Sequence, residues 1–105
     1  MMKIAVTIME NTIDSMMDAR FGRCAWFAIY DTRTGQTEFL KNPAIDAQEG
    51  AGPVAVKFVA AQGVQKVISG EFGVKIRPLL EELGIEMIPC KDGKRISEII
   101  EKFNL

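Results

Sequence analysis

The chain has no histidine among its 105 residues. Histidine is the commonest general base near neutral pH and the usual partner of serine and cysteine nucleophiles. It is also the commonest metal ligand in proteins. Its absence therefore excludes the Ser-His and Cys-His arrangements of many hydrolases, and it excludes any metal site that depends on imidazole.

Cysteine is also scarce, because Cys24 and Cys90 are the only two and lie far apart in the sequence. A disulfide scaffold needs more cysteines, and a zinc or redox site usually shows a Cys-x-x-Cys pair. Neither pattern is present. Each cysteine is therefore either a soft ligand for copper, iron or zinc, or a small buried apolar side chain.

Long hydrophobic runs are missing too, since none approaches the roughly 20 residues of a membrane-spanning helix. The N-terminus does not have the residue order of a signal peptide. The net charge is −1, which provides no general attraction to nucleic acid or anionic membranes. We therefore expect a cytoplasmic protein that binds neither nucleic acid nor membranes.

The residues that are present suit one globular domain over residues 1–105, with 48% hydrophobic and 26% charged residues. Short apolar runs rich in β-branched and aromatic residues predict strands over 3–8, 25–31, 36–41, 66–69 and 85–88.

Apolar residues at helical spacing predict three helices. Each has a stripe that we expect to face the core: Val54, Ala55, Phe58 and Val59 in the first helix; Ile76, Leu79, Leu80 and Leu83 in the second; and Ile96, Ile99, Ile100 and Phe103 in the last. Pro78 belongs in the first turn of the second helix, because proline breaks a helix further in. Asp92 or Gly93 precedes the last helix.

The predicted order of elements is βββαβαβα. A three-stranded meander followed by two right-handed crossovers gives a mixed five-stranded sheet of order 3-2-1-4-5. In that sheet strand two runs antiparallel to the others, and the three helices cover both faces. This is the ribonuclease H-like, three-layer α/β topology.

This topology brings separate parts of the sequence to one edge of the sheet. A long loop, residues 9–23, follows strand one, and Cys24 begins strand two at the same edge. Gly70 and Glu71 follow strand four, and Cys90 follows strand five. Ligands of such sheets bind at the carboxyl ends of the parallel strands. Because the loop is polar and has little to bury, we expect it to be mobile when no ligand is bound.

The predicted strand order also separates the two cysteines. Three inter-strand steps of about 4.8 Å lie between strands two and five, whereas a disulfide needs Cα atoms within about 7 Å. We therefore predict that Cys24 and Cys90 do not pair.

The segment from Arg20 to Cys24 is the most informative part of the chain. Arg20 and Arg23 offer fixed forks of N–H donors that suit anions, and Gly22 leaves the backbone between them open. In one interpretation this segment lines a ligand cleft, with Cys24 as a metal or cluster ligand. In the other, Phe21 and Cys24 are core residues, Gly22 makes a turn and both arginines are solvated.

Two other glycine-containing segments precede helices: 50–53 and 70–73. The N–H groups at a helix N-terminus favour anions, but glycines in a turn need no ligand to explain them. A nuclease is disfavoured, because two-metal cleavage needs converging carboxylates and strand one contains none.

Taken together, these segments resemble the dinitrogenase iron–molybdenum cofactor biosynthesis family. The resemblance covers nearly the whole chain, and its anchors are the segments 3–6, 21–23, 42–43, 50–52, 67–73 and 83–85. It implies a ribonuclease H-like fold and a protein that is not an enzyme. Characterised members of the family hold or carry metal–sulfur clusters, including the nitrogenase cofactor or its precursor, and one branch binds a molybdenum–copper sulfide cluster.

One position departs from the family pattern, which often has histidine where this chain has Arg20. The resemblance therefore implies that cations and backbone N–H groups, rather than imidazole, capture an anionic cluster. The residues that this expectation places at the cofactor site are Arg20, Phe21, Gly22, Arg23, Cys24, Gly70 and Glu71, with Cys24 as the metal ligand.

The leading expectation is thus a non-catalytic carrier of an iron–molybdenum–sulfur or molybdenum–copper–sulfur cluster, with donor and acceptor proteins as partners. We expect the protein to be a monomer or a weak dimer. The alternatives are an interaction or regulatory domain without a cluster, and a redox protein that uses Cys24.

Overall fold

The computed structural model of the protein describes residues 2–91 and 93–103. Its elements follow the predicted order: β1 (Lys3–Ile8), β2 (Trp26–Asp31), β3 (Thr37–Lys41), α1 (Ala51–Ala61), β4 (Lys66–Ser69), α2 (Arg77–Glu82), β5 (Glu86–Pro89) and α3 (Ile96–Lys102). The predicted bounds of β1 and β4 are confirmed, and those of the other strands differ by one residue. Asp92, one of the two residues predicted to precede the last helix, lies outside the described residues.

The five strands form one sheet in the order β3-β2-β1-β4-β5, as predicted. Strand β2 pairs antiparallel with both β1 and β3. Strand β4 is parallel to β1, and β5 is parallel to β4. The carboxyl ends of β1, β4 and β5 therefore meet at one edge of the sheet, which we call the carboxyl rim.

The side chains of the sheet alternate between two hydrophobic clusters, one on each face. Ala5 packs in the cluster that α1 and α2 cover, whereas Ile4 and Val6 pack in the cluster that α3 covers. Cys24 belongs to the first cluster and Cys90 to the second. The two thiols are free and lie on opposite faces of the sheet, so the prediction that they do not pair is confirmed.

Two predicted helix stripes need correction. In α1, Val54 is 40% exposed and Val56 is buried in its place, because the buried face runs through Ala51, Ala55 and Val59. Those three residues are four positions apart and mark the face of α1 that packs against the core. Val56 lies next to this face on the side of the core, whereas Val54 lies on the side of the solvent. In α2, Leu83 is 53% exposed because the helix ends at Glu82.

The long loop after β1 is the main departure from expectation. Met17, Asp18 and Phe21 are buried, so the premise that the loop has little to bury is wrong. The Met17 N–H donates to the Lys94 carbonyl at 2.9 Å, and the Asp18 N–H donates to the Thr7 carbonyl at 2.8 Å. These bonds hold the middle of the loop between the end of β1 and the segment that precedes α3.

No helix within residues 2–91 and 93–103 is long and apolar enough to cross a membrane.

Candidate functional site

The carboxyl rim brings the loop after β1 against the segment after β4. Arg20 and Glu71 pair as in a short parallel β-bridge, and the Glu71 N–H donates to the Ala19 carbonyl at 2.8 Å. A Cβ on Gly70 would lie 2.5 Å from the Ala19 Cα, so only glycine permits this approach. The predicted convergence of these two segments is therefore confirmed.

Two buried hydroxyl groups stabilise the contact between the loop after β1 and the segment after β4. The Thr7 hydroxyl donates to the Asp18 carbonyl at 2.7 Å and shares a hydrogen bond of 3.0 Å with the Ser69 hydroxyl. Thr7 is on β1 and Ser69 is the last residue of β4. The loop is thus fixed to both central strands at the point where they end.

Asp18 orients Arg20 at the rim. One Asp18 carboxylate oxygen accepts the Arg20 backbone N–H at 2.9 Å and lies 3.6 Å from the Arg20 Nε. The Arg20 side chain is 64% exposed, whereas that of Asp18 is nearly buried. The inner side of the guanidinium is therefore held by Asp18 while its outer N–H groups face solvent.

Next to Arg20 lies a groove of about 250 Å³, which we call the Gly22 groove. It is lined by Arg20, Phe21, Gly22, Arg23, Gly52, Glu71, Gly73 and Ile76. A Cβ on Gly22 would stand 3.3 Å from the Gly52 Cα, so the loop meets the first turn of α1 backbone to backbone. Gly52 and Gly73 complete the groove and were not among the predicted site residues.

The N-terminus of α1 opens onto this groove without a cap. Its N-cap residue, Gly50, makes no side-chain hydrogen bond, and the first turn contains no acidic residue. The first N–H groups of a helix have no partner within the helix. Because Gly52 lines the groove, this helix end and its dipole favour a negative charge at this position.

Asn42 connects the groove to the residues that lead into α1. This fully buried side chain donates from Nδ2 to the carbonyls of Gly22 at 3.1 Å and Cys24 at 2.9 Å. Its Oδ1 accepts the Ala44 N–H at 2.9 Å. Arg23 adds a second link, because its Nη1 donates to the Ala47 carbonyl. Asn42 was not among the predicted site residues, although its position between a strand and a proline is a signal that could have pointed to it.

A second groove lies on the other side of the Arg20–Glu71 contact and has a volume of about 220 Å³. It is lined by Met17, Ala19, Gly70, Glu71, Cys90, Lys91 and Gly93. Cys90 is itself nearly buried, and its N–H donates to the Ser69 carbonyl at 2.8 Å. Glu71 is exposed and lines both grooves, so this acidic residue stands at their boundary.

Cys24 lies in the core rather than at the surface of the rim. It is fully buried, and its Sγ donates to the Phe21 carbonyl at 3.4 Å. Burial first, and the nearby Asp18 carboxylate second, raise the pKa of the Cys24 thiol to about 12. Of the two interpretations of Cys24, this geometry supports the packing one.

Phe21 is also a core residue. Its ring packs against Phe27 and Phe72, with ring centroids 5.7 Å and 6.0 Å away. The predicted site residues thus divide into two sets. Arg20, Gly22, Arg23 and Glu71 line the Gly22 groove and are at least partly exposed, whereas Phe21, Cys24 and Gly70 are buried. Of these three, Phe21 and Gly70 still form part of a groove wall, and Cys24 lines neither groove.

The fold and the rim define the class: a small α/β domain with a cationic, glycine-lined groove at the carboxyl edge of its sheet. The sequence model described as "Dinitrogenase iron-molybdenum cofactor" matches residues 2–105. The chain therefore belongs to the dinitrogenase iron-molybdenum cofactor family, and the resemblance noted from the sequence is confirmed.

Individual relatives agree with this assignment. An uncharacterized protein of Methanocaldococcus jannaschii is 30% identical over 106 residues, which cover 98% of this chain and 86% of the relative. The apo form of the orange protein from Desulfovibrio gigas has a TM-score of 0.93 and 30% identity, covering 99% of this chain and 88% of that one. A Thermotoga protein provisionally named NifB has a TM-score of 0.86 and 29% identity, with the same coverage.

Proposed function

We propose that the protein binds and carries an anionic metal–sulfur cluster in the Gly22 groove and catalyses no reaction. The observation that carries the proposal is the presence of two guanidinium groups and an uncapped helix N-terminus on one glycine-lined groove. Guanidinium N–H groups and free backbone N–H groups are the donors that stabilise anions. Glycine at positions 22 and 52 lets the loop pack directly against the first turn of α1, which places that helix end on the groove.

The donor set suits a preformed cluster better than a bare metal ion. Within the described ranges, 2–91 and 93–103, no group of three or more Cys, Asp or Glu residues could hold a metal ion. A bare ion needs such ligands from the protein. A cluster brings its own sulfides, and the protein then has only to supply positive charge and hydrogen bonds.

Membership of the family supports the choice of cargo, because the family takes its name from the iron–molybdenum cofactor. The structure of the Desulfovibrio gigas relative is described as an apo form. An iron–molybdenum–sulfur cluster and a molybdenum–copper–sulfur cluster are both within the proposal. Donor and acceptor proteins for the cluster, and a cytoplasmic location, belong to the same proposal.

Glu71 lowers the affinity of the Gly22 groove for anions. Its exposed carboxylate lines the groove close to Arg20. A like charge next to an anionic cluster weakens binding. A carrier must release its cargo, so we assign Glu71 the role of keeping cluster binding reversible.

The distribution of exposed apolar side chains favours a second candidate, an interaction domain that binds no cluster. Six large hydrophobic residues are exposed in the described chain. Five of them are in the rim loops or the first turn of α1: Met9, Ile13, Met16, Val54 and Val74. Exposed apolar patches commonly mark protein-binding surfaces. A redox role for Cys24 is not proposed, because the thiol is sealed in the core.

Anaerobic titration with tetrathiomolybdate, with and without copper(I), tests the proposal. Absorbance and metal analysis of the desalted protein would measure the stoichiometry. We expect saturable binding at one site per chain, weakened by Arg20→Ala. No stoichiometric binding under either condition would reject cluster carriage and favour the interaction domain.

A further inference from the structure

Strand β3 is an open edge of the sheet. None of its five residues is buried, and within the described chain no strand pairs with its outer side. The other edge, β5, has only four residues and ends in Pro89, which has no N–H to donate. The open backbone of β3 is therefore the better template for pairing with another strand.

The hydrogen bonds to β2 determine which groups of β3 point outward. The Asn42 N–H donates to the Ala25 carbonyl at 3.0 Å, and the Asp31 N–H donates to the Gln36 carbonyl at 3.0 Å, so both are hydrogen-bonded pairs. Bonded and non-bonded pairs alternate along an antiparallel ladder. In the observed register, Leu40 and Glu38 are therefore bonded to β2.

The intervening residues, Thr37, Phe39 and Lys41, direct their N–H and C=O groups away from β2. No backbone hydrogen bond from these residues to another part of the described chain is present. The outward groups thus recur at three alternate positions and are symmetric about Phe39.

We propose that two copies of the chain associate by antiparallel pairing of their β3 strands, with Phe39 opposite the partner's Phe39. This register places Thr37 opposite the partner's Lys41 and uses all three outward positions. Each of the three pairs then exchanges two backbone hydrogen bonds. The strand is self-complementary, which is why we assign a second copy as its partner.

Neighbouring registers are less favourable. A shift of two residues in one direction places Thr37 opposite the partner's Pro43, which cannot donate. A shift in the other direction places Glu38 opposite the partner's Glu38, and like charges directly opposite are destabilising. A one-residue slip would put opposite faces of the two sheets together. The arrangement centred on Phe39 avoids all three.

The side chains agree with this register. Phe39 is half-buried on the α3 face of the sheet, so pairing adds an aromatic contact between the two copies.

The two-fold axis of this dimer is perpendicular to the sheet, and the two five-stranded sheets become one continuous sheet. The two carboxyl rims then point in opposite directions, so both Gly22 grooves stay open. The interface is short, and we expect a weak dimer that forms as protein concentration rises.

A pair of charge variants tests the register. Sedimentation velocity of the full chain over rising concentration measures the dimer dissociation constant. Thr37→Glu places a carboxylate opposite the partner's Lys41 and should tighten the dimer, whereas Thr37→Lys should weaken it. Two symmetric cross-strand pairs change the dissociation constant by about 2- to 30-fold in each direction. Equal shifts in the two variants, or a monomer at every concentration, would overturn the proposal.

Disulfide trapping provides a second readout that does not depend on affinity. Residues opposite each other in a bonded pair have Cα atoms about 5.5 Å apart, within the roughly 4.4–6.8 Å that disulfides allow. Phe39→Cys should therefore form a covalent dimer under mild oxidation. Lys41→Cys is the matched control and should not form a covalent dimer, because position 41 lies opposite the partner's Thr37. Both natural cysteines are buried and contribute no background. Cross-linking of the control at the same rate would reject the register.

Discussion

Gly22 and Gly52 meet backbone to backbone, and a Cβ on Gly22 would stand 3.3 Å from the Gly52 Cα. One residue belongs to the loop before β2 and the other to the first turn of α1. Their contact places the free N–H groups of the helix beside Arg20 and Arg23. The anion-binding character of the groove therefore depends on two glycines that are distant in sequence.

Gly22→Ala should weaken cluster binding by roughly tenfold, or about 1.4 kcal/mol. The added methyl group pushes the first turn of α1 away from the two guanidinium groups. Titration with tetrathiomolybdate measures the change. Gly73→Ala is the control, because it lines the same groove but its Cβ would meet nothing within 4 Å. A larger effect in the Gly73 variant would contradict the role of the glycine contact.

Arg20→Ala should lower the affinity for the cluster by roughly 10- to 100-fold, which is the usual effect of losing a charge-assisted hydrogen bond. Arg33→Ala is the matched control, since Arg33 lies at the opposite end of the sheet in a separate depression of about 540 Å³. Arg95 would not serve as a control, because its backbone pairs with Met16 in the rim loop. Equal affinities in the Arg20 and Arg33 variants would remove the site assignment.

The stability of the protein should fall between about pH 9 and about pH 12 because of Cys24. The unfolded thiol ionises near its ordinary pKa of 9.0, whereas the folded one has a pKa of about 12. In this window the unfolded chain releases a proton that the folded chain keeps, so unfolding becomes more favourable by at most about 1.4 kcal/mol per pH unit.

Urea unfolding at about pH 8 and about pH 10 measures this dependence. Other groups also titrate there, so Cys24→Ala is the reference, and its stability should fall less over the same interval. The same variant should bind the cluster as tightly as the natural chain. An identical pH dependence in both proteins would mean that the Cys24 thiol is not protected from ionisation.

Asn42→Ala should destabilise the fold by on the order of 3 kcal/mol, since it leaves the buried carbonyls of Gly22 and Cys24 without their donor. The Ala44 N–H loses its acceptor as well. Thermal or urea unfolding measures the loss. Asn11→Ala changes the same side chain at an exposed loop position and should stay within about 0.5 kcal/mol. Similar effects at both positions would show that Asn42 does not support the groove.

The strand order followed from the sequence because the pattern of each segment was clear. The buried, β-branched run Lys3–Ile8 could only be a central strand, and the helix before Gly63 and the helix after Gly73 fitted between parallel strands. The convergence on the carboxyl rim followed from that order. Family membership was also readable, since its anchors are short segments that keep their order along the chain.

Exposure of individual residues was harder to predict. Val54 and Val56 have the same side chain and lie two positions apart, so periodicity alone did not show which one faces the core. The rim loop looked polar, yet Phe21 and Met17 anchor it in the two hydrophobic clusters. A few well-placed apolar residues were enough to outweigh the composition of the whole segment.

The amino-acid sequence by itself determined the topology, the family and the presence of two arginines on a glycine loop at the rim, because local patterns and connection rules act along the chain. Only the tertiary structure decided that Cys24 is sealed and that Gly52 joins Gly22 to form the groove. It also decided that the outward backbone groups of β3 are centred on Phe39. Each of these depends on contacts between residues distant in sequence, and burial and register arise only when those residues pack together.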